Sequence, residues 1–513
     1  MNIATAVGWW AAWMVGLGLG LACAEGVFQC NQDDQCDGGV CVDGHCAFPS
    51  DMCSSGLQYG AHSGSQASQC VPPELGQSTS AEPLDSSPMT IGSTGEPEGL
   101  DTGAESSGDP DAEPVEFVDD AFEGEFAEGT FEQTMWSSGR LQLQPDALEG
   151  TFTSRVFDAG TAVDWQTVRW QPDEPYAKPL PGNGHAESGY TAGNVDMADN
   201  VLLMHLDGEG PWTHGLEVLD ASGTLSHGTV VAEEQPVPLI PGVFGTAIDD
   251  HAGSRISIIT AETPGLSFGH SDFTWSLWFR TADDCAGNRV LMGVENTGDN
   301  DAWPHLWLGC TAGPWDACEG QVVAPRVAGV LTAQQSVPED GGAICSDSSI
   351  DAARWHHAVV TKQGHSESVL SLYFDGELQS QSPAQFLAGI EYPSGHDFAI
   401  GAFSRGAYNA AGHLDEVAIW TRALSPEQVA ATYRRGALRV MVQARVCLQP
   451  DCADEPPFIG AWYDPADSLS PGTVLPTDDL PRGRYVQYRV ALMRARASLD
   501  SPRLASMRLR GRP

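Results

Sequence analysis

The chain has 513 residues, 41% of them hydrophobic, which is enough for packed cores and predicts about two to four domains. Its net charge is −44 and no Lys or Arg precedes Arg140, so clustered cations that would neutralise nucleic-acid phosphates or anionic lipid headgroups are missing there. These features exclude nucleic acid as a partner and leave a lipid anchor as the expected form of membrane attachment.

An apolar run opens the chain and ends at Ala22-Cys23-Ala24. Such a run before a small-x-small site predicts export, with residues 1–24 removed as a signal peptide. In the alternative, a lipoprotein signal, Cys23 becomes the acylated first residue, although Gly20 stands where the bacterial lipobox usually has Leu. A permanent membrane anchor is a third alternative, for which the run is marginal in length. The expected location is secreted or cell surface, as an outer-membrane lipoprotein where Cys23 is acylated.

Besides Cys23, the cysteines fall into three sets with an even number in each. Even local sets predict disulfides that close within each region of an exported protein. Residues 25–71 have too few apolar side chains for a core, so bridges are expected to hold this Cys-rich unit together. A zinc site with His45 is the alternative, but the unit has no Cys-x-x-Cys pair. The predicted disulfide cysteines are Cys30, Cys36, Cys41, Cys46, Cys53 and Cys70, then Cys285, Cys310, Cys318 and Cys345, and finally Cys447 and Cys452.

Residues 72–135 are rich in Ser, Gly, Pro, Glu and Asp, and the first aromatic residue in this stretch is Phe117. This composition predicts an acidic, self-repelling disordered linker that holds the C-terminal part away from the surface. A calcium-buffering or partner-binding tract is the alternative.

Alternating strand-like runs follow at 152–160 and 163–170, and runs of the same kind return at 438–446, 485–492 and 504–509. A β-sandwich needs about seven strands, so neither group is sufficient alone. We therefore predict one discontinuous β-sandwich built from 140–180 plus 437–513, with the intervening domain inserted into it. Insertion is tolerated where the termini of the inserted domain lie close together.

The inserted segment, 200–436, is also rich in short alternating runs. In Phe273-Thr274-Trp275-Ser276-Leu277-Trp278-Phe279, every second residue is apolar on one face, as a sandwich interior requires. One helix is predicted after a capping Ser425, with Pro426 at its first position and Gly436 at its end.

This segment resembles the laminin-G-like, concanavalin A-type jellyroll family. The resemblance implies an all-β fold, in which a jellyroll over 200–436 is inserted in the smaller sandwich and follows a disulfide-rich unit and a disordered linker. The matching pieces, in the order typical of the family, are Val201-Leu202-Leu203-Met204-His205-Leu206-Asp207, Asp220-Ala221-Ser222-Gly223, Trp275-Ser276-Leu277-Trp278-Phe279, Trp355-His356-His357-Ala358-Val359-Val360, Leu372-Tyr373-Phe374-Asp375-Gly376 and Gly412-His413-Leu414-Asp415-Glu416-Val417-Ala418-Ile419-Trp420.

Jellyrolls of this type include glycoside hydrolases, which place two carboxylates on one face of the sheet, where they flank the scissile bond. The Glu-x-Asp-x-x-Glu pattern of jellyroll glucanases does not occur in the domain, and the adjacent Asp415 and Glu416 are expected to point to opposite faces of a strand. The adjacent His356 and His357 are likewise not placed to chelate one metal. We therefore predict that the chain is not an enzyme, with glycoside hydrolysis as the least favoured alternative.

The resemblance implies a calcium ion near the rim of the jellyroll, for which Asp220 and Asp415 are the candidate ligands. Asp220 capping its own turn, and Asp415 holding a neighbouring loop, are the alternatives. Exposed aromatic residues would provide a sugar platform, and the candidates in loop-like sequence are Trp212, Trp303, Trp307 and Trp315. The predicted function is an exported or surface-attached, non-catalytic recognition module that binds glycan or extracellular protein. A structural envelope or matrix spacer is the alternative.

Overall fold

The computed structural model divides the chain into two compact units, Met1–Ala104 and Glu105–Pro513. The residues that the structure describes are 40–42, 45–49, 57–59, 71, 113–120, 126, 128–232, 235–250, 254–259, 266, 271–281, 285, 289–295, 305–311, 318, 330–336, 342–352, 354–364, 369–382, 397–403, 408–464, 473–476 and 480–513.

The described part of the first unit is a three-stranded antiparallel sheet of β1 (Val40–Val42), β2 (His45–Pro49) and β3 (Leu57–Tyr59). Its described core consists of Val42, Ala47 and Val71. The signal segment with Cys23 lies outside the described residues, so export and lipidation stay predictions. The same holds for the first cysteine set: the side chains of Cys41 and Cys46 are not described, and Cys30, Cys36, Cys53 and Cys70 lie outside the described residues altogether.

In its described residues, the second unit contains the remaining strands and one helix. The strands before the jellyroll are β4 (Val115–Asp119), β5 (Thr130–Glu132), β6 (Thr134–Ser137), β7 (Arg140–Leu143), β8 (Glu149–Thr153) and β9 (Phe157–Pro172). The jellyroll contains β10 (Asn200–Met204), β11 (Glu217–Val218), β12 (Gly228–Ala232), β13 (Leu239–Pro241), β14 (Thr246–Asp250), β15 (Ser254–Ile259), β16 (Phe273–Thr281), β17 (Arg289–Glu295), β18 (His305–Thr311), β19 (Val330–Ser336), β20 (Gly342–Ser349), β21 (His356–Gln363), β22 (Val369–Phe374), β23 (Glu377–Ser382), β24 (Asp397–Ile400), β25 (Gly412–Trp420) and α1 (Pro426–Ala437). After it come β26 (Leu438–Cys447), β27 (Ile459–Trp462), β28 (Thr473–Pro476), β29 (Gly483–Arg494) and β30 (Leu504–Arg512).

Strands that precede the inserted domain pair with strands that follow it. β8 pairs with β29, and β9 pairs with both β29 and β30, all antiparallel. Trp165 and Trp170 of β9 are buried in one core with Tyr488 of β29 and Leu509 of β30. The flanks of the jellyroll are therefore parts of one discontinuous sandwich.

This sandwich begins earlier than its predicted start at residue 140. β4 and β5 lie within 72–135 and β6 begins there, so the prediction of a disordered linker was wrong for these strands. β4 pairs with β30, and its Phe117 ring lies 5.1 Å from the ring of Phe157 between centroids. The average composition of this long acidic stretch did not predict the five-residue strand β4, because that strand is stabilised by pairing with a distant partner. The linker prediction for 72–112 falls outside the described residues.

The jellyroll consists of two antiparallel sheets of eight strands each. We call the first the helix-side sheet: its order is β13-β14-β25-β16-β21-β22-β23, and β10 also pairs with β25. We call the second the opposite sheet, with the order β11-β12-β15-β24-β17-β18-β19-β20. The rings of Trp275 on β16 and Phe398 on β24 meet edge to face in the core, with centroids 5.1 Å apart. The predicted apolar face of β16 is thus confirmed.

Helix α1 begins with the predicted capping box, in which Ser425 and Gln428 cap each other's backbone N–H groups. The prediction that Gly436 ends the helix was wrong, because α1 continues to Ala437. A Cβ atom on Gly436 would stand 2.5 Å from the Trp278 ring and 2.6 Å from Val243. Glycine at this position allows the helix to approach the sheet closely.

Three disulfides are described, Cys285–Cys310, Cys318–Cys345 and Cys447–Cys452. Each closes within one of the predicted cysteine sets, so local closure is confirmed for the second and third sets. Among the described residues, no helix has the length and apolar character needed to cross a membrane.

Candidate functional site

The outer face of the opposite sheet carries a row of small residues that ends at an indole. Register places Ser257 of β15 opposite Ala399 of β24, Ala399 opposite Gly293 of β17, and Gly293 opposite Trp307 of β18. The neighbouring positions along these strands, such as Ile256 in β15, fill the core, so strand alternation directs this row outward. We call Ser257, Ala399, Gly293 and Trp307 the platform.

An aromatic chain runs from the platform toward solvent. The ring of Phe403 meets Trp307 edge-on with centroids 6.3 Å apart, and Tyr408 meets Phe403 edge-on at 5.8 Å. Exposure rises from 3% at Trp307 and 5% at Phe403 to 57% at Tyr408. Val290 completes the buried cluster with Trp307 and Phe403. Only the outer end of this chain of rings is accessible.

The backbone of Tyr408 is held in the left-handed region, with φ of 54°. A bulky side chain rarely adopts this conformation, which costs on the order of 1 kcal/mol or more. Its carbonyl accepts a 2.7 Å hydrogen bond from the backbone N–H of Val290, which fixes the loop to β17. The conformation therefore directs an aromatic ring outward at the edge of the platform.

Two guanidinium groups accompany these rings. Arg255 shares the outward face of β15 with Ser257, and its buried Nε has no hydrogen-bond partner among the described residues. Arg289 of β17 directs Nη1 toward the Asn409 carbonyl at 3.5 Å. Aromatic faces combined with a few polar donors are the chemistry of small-molecule and sugar sites.

Among the four tryptophans predicted as platform candidates, the structure places Trp307 at this site. Trp212 is buried in the jellyroll core and bridges Val237 through its backbone. Trp303 and Trp315 lie outside the described residues. Phe403 and Tyr408 could not be predicted from the sequence, because isolated aromatic residues in a Gly- and Ala-rich loop produce no periodic pattern.

Asp220, a predicted calcium ligand, accepts five hydrogen bonds from the protein. Its Oδ1 accepts from the backbone N–H groups of Leu203 at 2.8 Å and Ser222 at 2.9 Å. Its Oδ2 accepts from the Ser222 hydroxyl at 2.7 Å, the Thr224 hydroxyl at 3.0 Å and the Ser226 N–H at 2.9 Å. The carboxylate therefore organises the turn from β11 to β12.

Asp415, the other predicted ligand, is buried behind the helix-side sheet. Its Oδ2 accepts from the N–H groups of Val243 at 2.7 Å and Phe244 at 3.2 Å, while its buried Oδ1 has no partner among the described residues. Burial raises the pKa of Asp415 well above its usual range, and the neighbouring Glu416 raises it further. Asp415 and Asp220 have no hydrogen-bond partner in common.

The expectation that Asp415 and Glu416 point to opposite faces was wrong. The β16 ladder shifts register here, so that Trp278 lies opposite Asp415 whereas Ser276 lies opposite Ala418, and Glu416 has φ of 48°. This irregularity turns both carboxylates away from the jellyroll core. Glu416 lies 2.5 Å from Nδ1 of His205, and its charge raises the pKa of that imidazole.

Both carboxylates are nonetheless buried, Asp415 at 0% exposure and Glu416 at 3%, so neither is accessible to a substrate. His356 and His357 are buried as well. They bond to separate partners: His356 to Asp375 at 3.0 Å and His357 to Ser276 at 2.9 Å. No group of three or more His, Cys, Asp or Glu side chains suited to a metal is found within the described ranges. The calcium assignment stays a prediction.

Two opposed eight-stranded antiparallel sheets with one capping helix define a jellyroll β-sandwich. Residues 258–430 match the family described as the concanavalin A-like lectin/glucanases superfamily, which confirms the resemblance over that segment. No curated protein matches the chain by sequence comparison.

Several solved structures share low similarity with the chain. Domain 4 of AbnA, a GH43 extracellular arabinanase from Geobacillus stearothermophilus, in complex with arabinotriose, is 16% identical with a TM-score of 0.33, covering 46% of this chain and 98% of that one. The binding domain of Paraclostridial Mosquitocidal Protein 1 is 15% identical with a TM-score of 0.33, covering 49% and 61%. The Ruminococcus gnavus IT-sialidase CBM40 bound to alpha2,3 sialyllactose is 14% identical with a TM-score of 0.28, covering 38% and 100%. Similarity this low does not transfer a ligand.

Proposed function

We propose that this protein is an exported, surface-attached recognition module whose jellyroll binds glycan without catalysis. The observation that carries the proposal is the aromatic chain beside the platform, which ends in Tyr408 with its ring exposed and its backbone held in a left-handed conformation. The disulfides fit an oxidising compartment such as the cell exterior.

The chemistry of the platform suits a sugar. A pyranose presents an apolar C–H face that stacks on an aromatic ring, and hydroxyls that accept hydrogen bonds from guanidinium groups. Tyr408 supplies the exposed ring, and Arg255 supplies a guanidinium on the outward face of β15. Ala399 is fully buried and Trp307 is 3% exposed, so the ring available for stacking is that of Tyr408 at the edge of the platform.

A non-catalytic role fits the same surface. The platform positions are Ser, Ala, Gly and Trp, which offer no pair of carboxylates for glycosidic cleavage. The adjacent carboxylates Asp415 and Glu416 lie on the other sheet and are buried.

The test is a glycan array probed with the full chain and with Tyr408→Ala. Because stacking on one exposed ring contributes on the order of 1 kcal/mol, Tyr408→Ala is expected to weaken binding by about fivefold. Leu378→Ala is the control, since Leu378 is 46% exposed on β23 of the helix-side sheet. Unchanged binding by Tyr408→Ala would rule out the platform, and no binding to any glycan would favour the structural spacer.

The same array tests calcium. Running it with calcium and then with a chelator is expected to abolish binding in the chelator arm if Asp220 and Asp415 hold a calcium ion that shapes the site. Equal binding in both arms would contradict that assignment.

A further inference from the structure

The chain contains only two lysines, Lys178 and Lys362, and every other basic side chain of this type is Arg. Lys178 is completely buried, at 0% exposure, in the segment 173–199 that leads from β9 into the jellyroll. Arg does not lose its proton in proteins, whereas a buried Lys does so readily and becomes a nucleophile. A lysine at position 178 can therefore act as a nucleophile, which an arginine at the same position could not do.

Two carboxyl groups and a phenol surround the amine. Lys178 Nζ lies 2.9 Å from the Tyr190 hydroxyl and 3.5 Å from Glu187 Oε1. The same hydroxyl donates a 2.5 Å hydrogen bond to Oδ2 of Asp464. Burial lowers the pKa of Lys178, and Asp464 is the charge that opposes this most strongly, ahead of Glu187. Tyr190 thus bridges the amine and the Asp464 carboxyl.

The two carboxyl groups differ in their partners. Arg435 donates from Nη1 to Glu187 Oε2 at 2.5 Å and from Nη2 to Oε1 at 3.0 Å, a bidentate pair that fixes the orientation of the Glu187 carboxyl group. Asp464 accepts from the neutral Tyr190 hydroxyl, which is placed to stabilise charge on its oxygen. In a site of low polarity, transfer of a proton from the ammonium to a carboxylate neutralises both groups.

We propose that Lys178 and Asp464 form an intramolecular amide bond. In this reaction the neutral Nζ of Lys178 attacks Cγ of protonated Asp464, and Tyr190 donates to the oxyanion that forms. Glu187 takes the proton released by nitrogen and returns it to the departing hydroxyl. One C–N bond forms, one C–O bond breaks, and one water molecule leaves, so no oxidant or other co-reactant is required.

The bond would tie the segment 173–199 before the jellyroll to the chain that follows β27 in the discontinuous sandwich. The covalent loop would contain the whole inserted domain. Force applied to the inserted domain would then be borne by a covalent bond as well as by packing, which suits an adhesive surface protein.

The test is mass spectrometry of the purified full chain after reduction. After removal of residues 1–24, the intact mass is expected to be one water below the mass calculated for residues 25–513. Trypsin is expected to yield 170–255 joined to 446–482, because cleavage at Lys178 is blocked by Pro179 and Arg is absent within both peptides. Finding both peptides separate and at full mass would overturn the proposal.

Variants assign the roles. Lys178→Met and Asp464→Ala are expected to give the unlinked peptides, and Glu187→Gln is expected to leave most of the chain unlinked. Lys362→Arg is the matched control, since Lys362 is also buried but donates to the carbonyls of Ser271 and Gly364. A water loss that persists in Lys178→Met would also overturn the assignment. Should a variant fail to fold, the peptides of the natural chain decide the question alone.

Discussion

The imidazole of His357 lies beneath helix α1, with its ring centroid 5.0 Å from that of Trp278 and Nε2 2.9 Å from the Ser276 hydroxyl. Burial lowers its pKa to about 4, and the charge of Asp375 opposes the shift only in part. The native state therefore keeps this side chain neutral across the physiological range.

This neutrality makes stability depend on pH. In the unfolded chain His357 has a pKa of about 6.5, so below that value the unfolded state binds the extra proton first. The contribution is fully present above about pH 6.5 and is lost as pH falls toward 4, by about 2 kcal/mol between pH 7 and pH 5. Urea unfolding at the two pH values measures it. His357→Asn is expected to remove that part of the pH dependence, and an unchanged dependence in the variant would contradict the assignment.

Asp220 supports a second prediction at this scale. Asp220→Ala removes the acceptor for five hydrogen bonds and leaves the buried N–H groups of Leu203 and Ser226 without that partner. A loss of about 2–4 kcal/mol is expected, and thermal or urea unfolding measures it. Ser222→Ala, which removes one of the five, is the graded control. Equal stability of the two variants would contradict the central role of the carboxylate.

At the scale of elements, alternation of apolar residues predicted the strands and their buried faces well, as β16 shows. It did not predict the register shift at Asp415, because one residue in a left-handed conformation leaves the local pattern of residue types unchanged. It also missed β4, whose pairing with β30 depends on a partner almost four hundred residues away, as the pairing of Val118 with Arg508 shows. The register shift and strand β4 both depend on tertiary contacts, which local residue propensities do not reveal.

Gly436 provides a prediction for helix α1. By helix propensity alone, Gly436→Ala would stabilise an exposed helix by about 1 kcal/mol. Here the added methyl group would overlap Trp278 and Val243, so a net loss of about 1–3 kcal/mol is expected. Urea unfolding measures the difference. The double variant Gly436→Ala with Val243→Ala is expected to recover part of the loss, whereas a single variant as stable as the natural chain would contradict the packing argument.

At the scale of the whole molecule, strand counting predicted the discontinuous sandwich, because neither flank could bury a core alone. The junction between the sandwich and the jellyroll was not predictable in this way. Arg435 of α1 pairs with Glu187 and also donates to the carbonyls of Lys178 and Pro179 in the segment before the jellyroll. Such contacts join elements far apart in sequence, and no periodic pattern of residue types in the sequence indicates them. The platform was likewise only partly foreseen, through Trp307.

The predicted linker before β4 is tested by limited proteolysis with a Glu-specific protease, since trypsin has no site before Arg140. Acidic, apolar-poor sequence is expected to be cut first, leaving a resistant fragment that starts at Gly99 or Ser106 and retains β4, because Pro97 and Pro114 block cleavage after Glu96 and Glu113. β4 resists cleavage because it pairs with β30 and because buried Asp119 accepts a 2.6 Å hydrogen bond from Tyr488 and pairs with Arg155 at 3.0 Å. Mass spectrometry of the fragment identifies its first residue.

Phe117→Ser is the informative variant for this experiment, since it removes the ring that packs on Phe157 without changing any Glu. It is expected to loosen β4 and move the first residue of the fragment past Glu116. Resistance of the whole chain would contradict the linker prediction. A natural-chain fragment that begins after Glu132 would instead show that β4 is dispensable, and the sandwich would then begin near the residue 140 boundary expected from sequence periodicity.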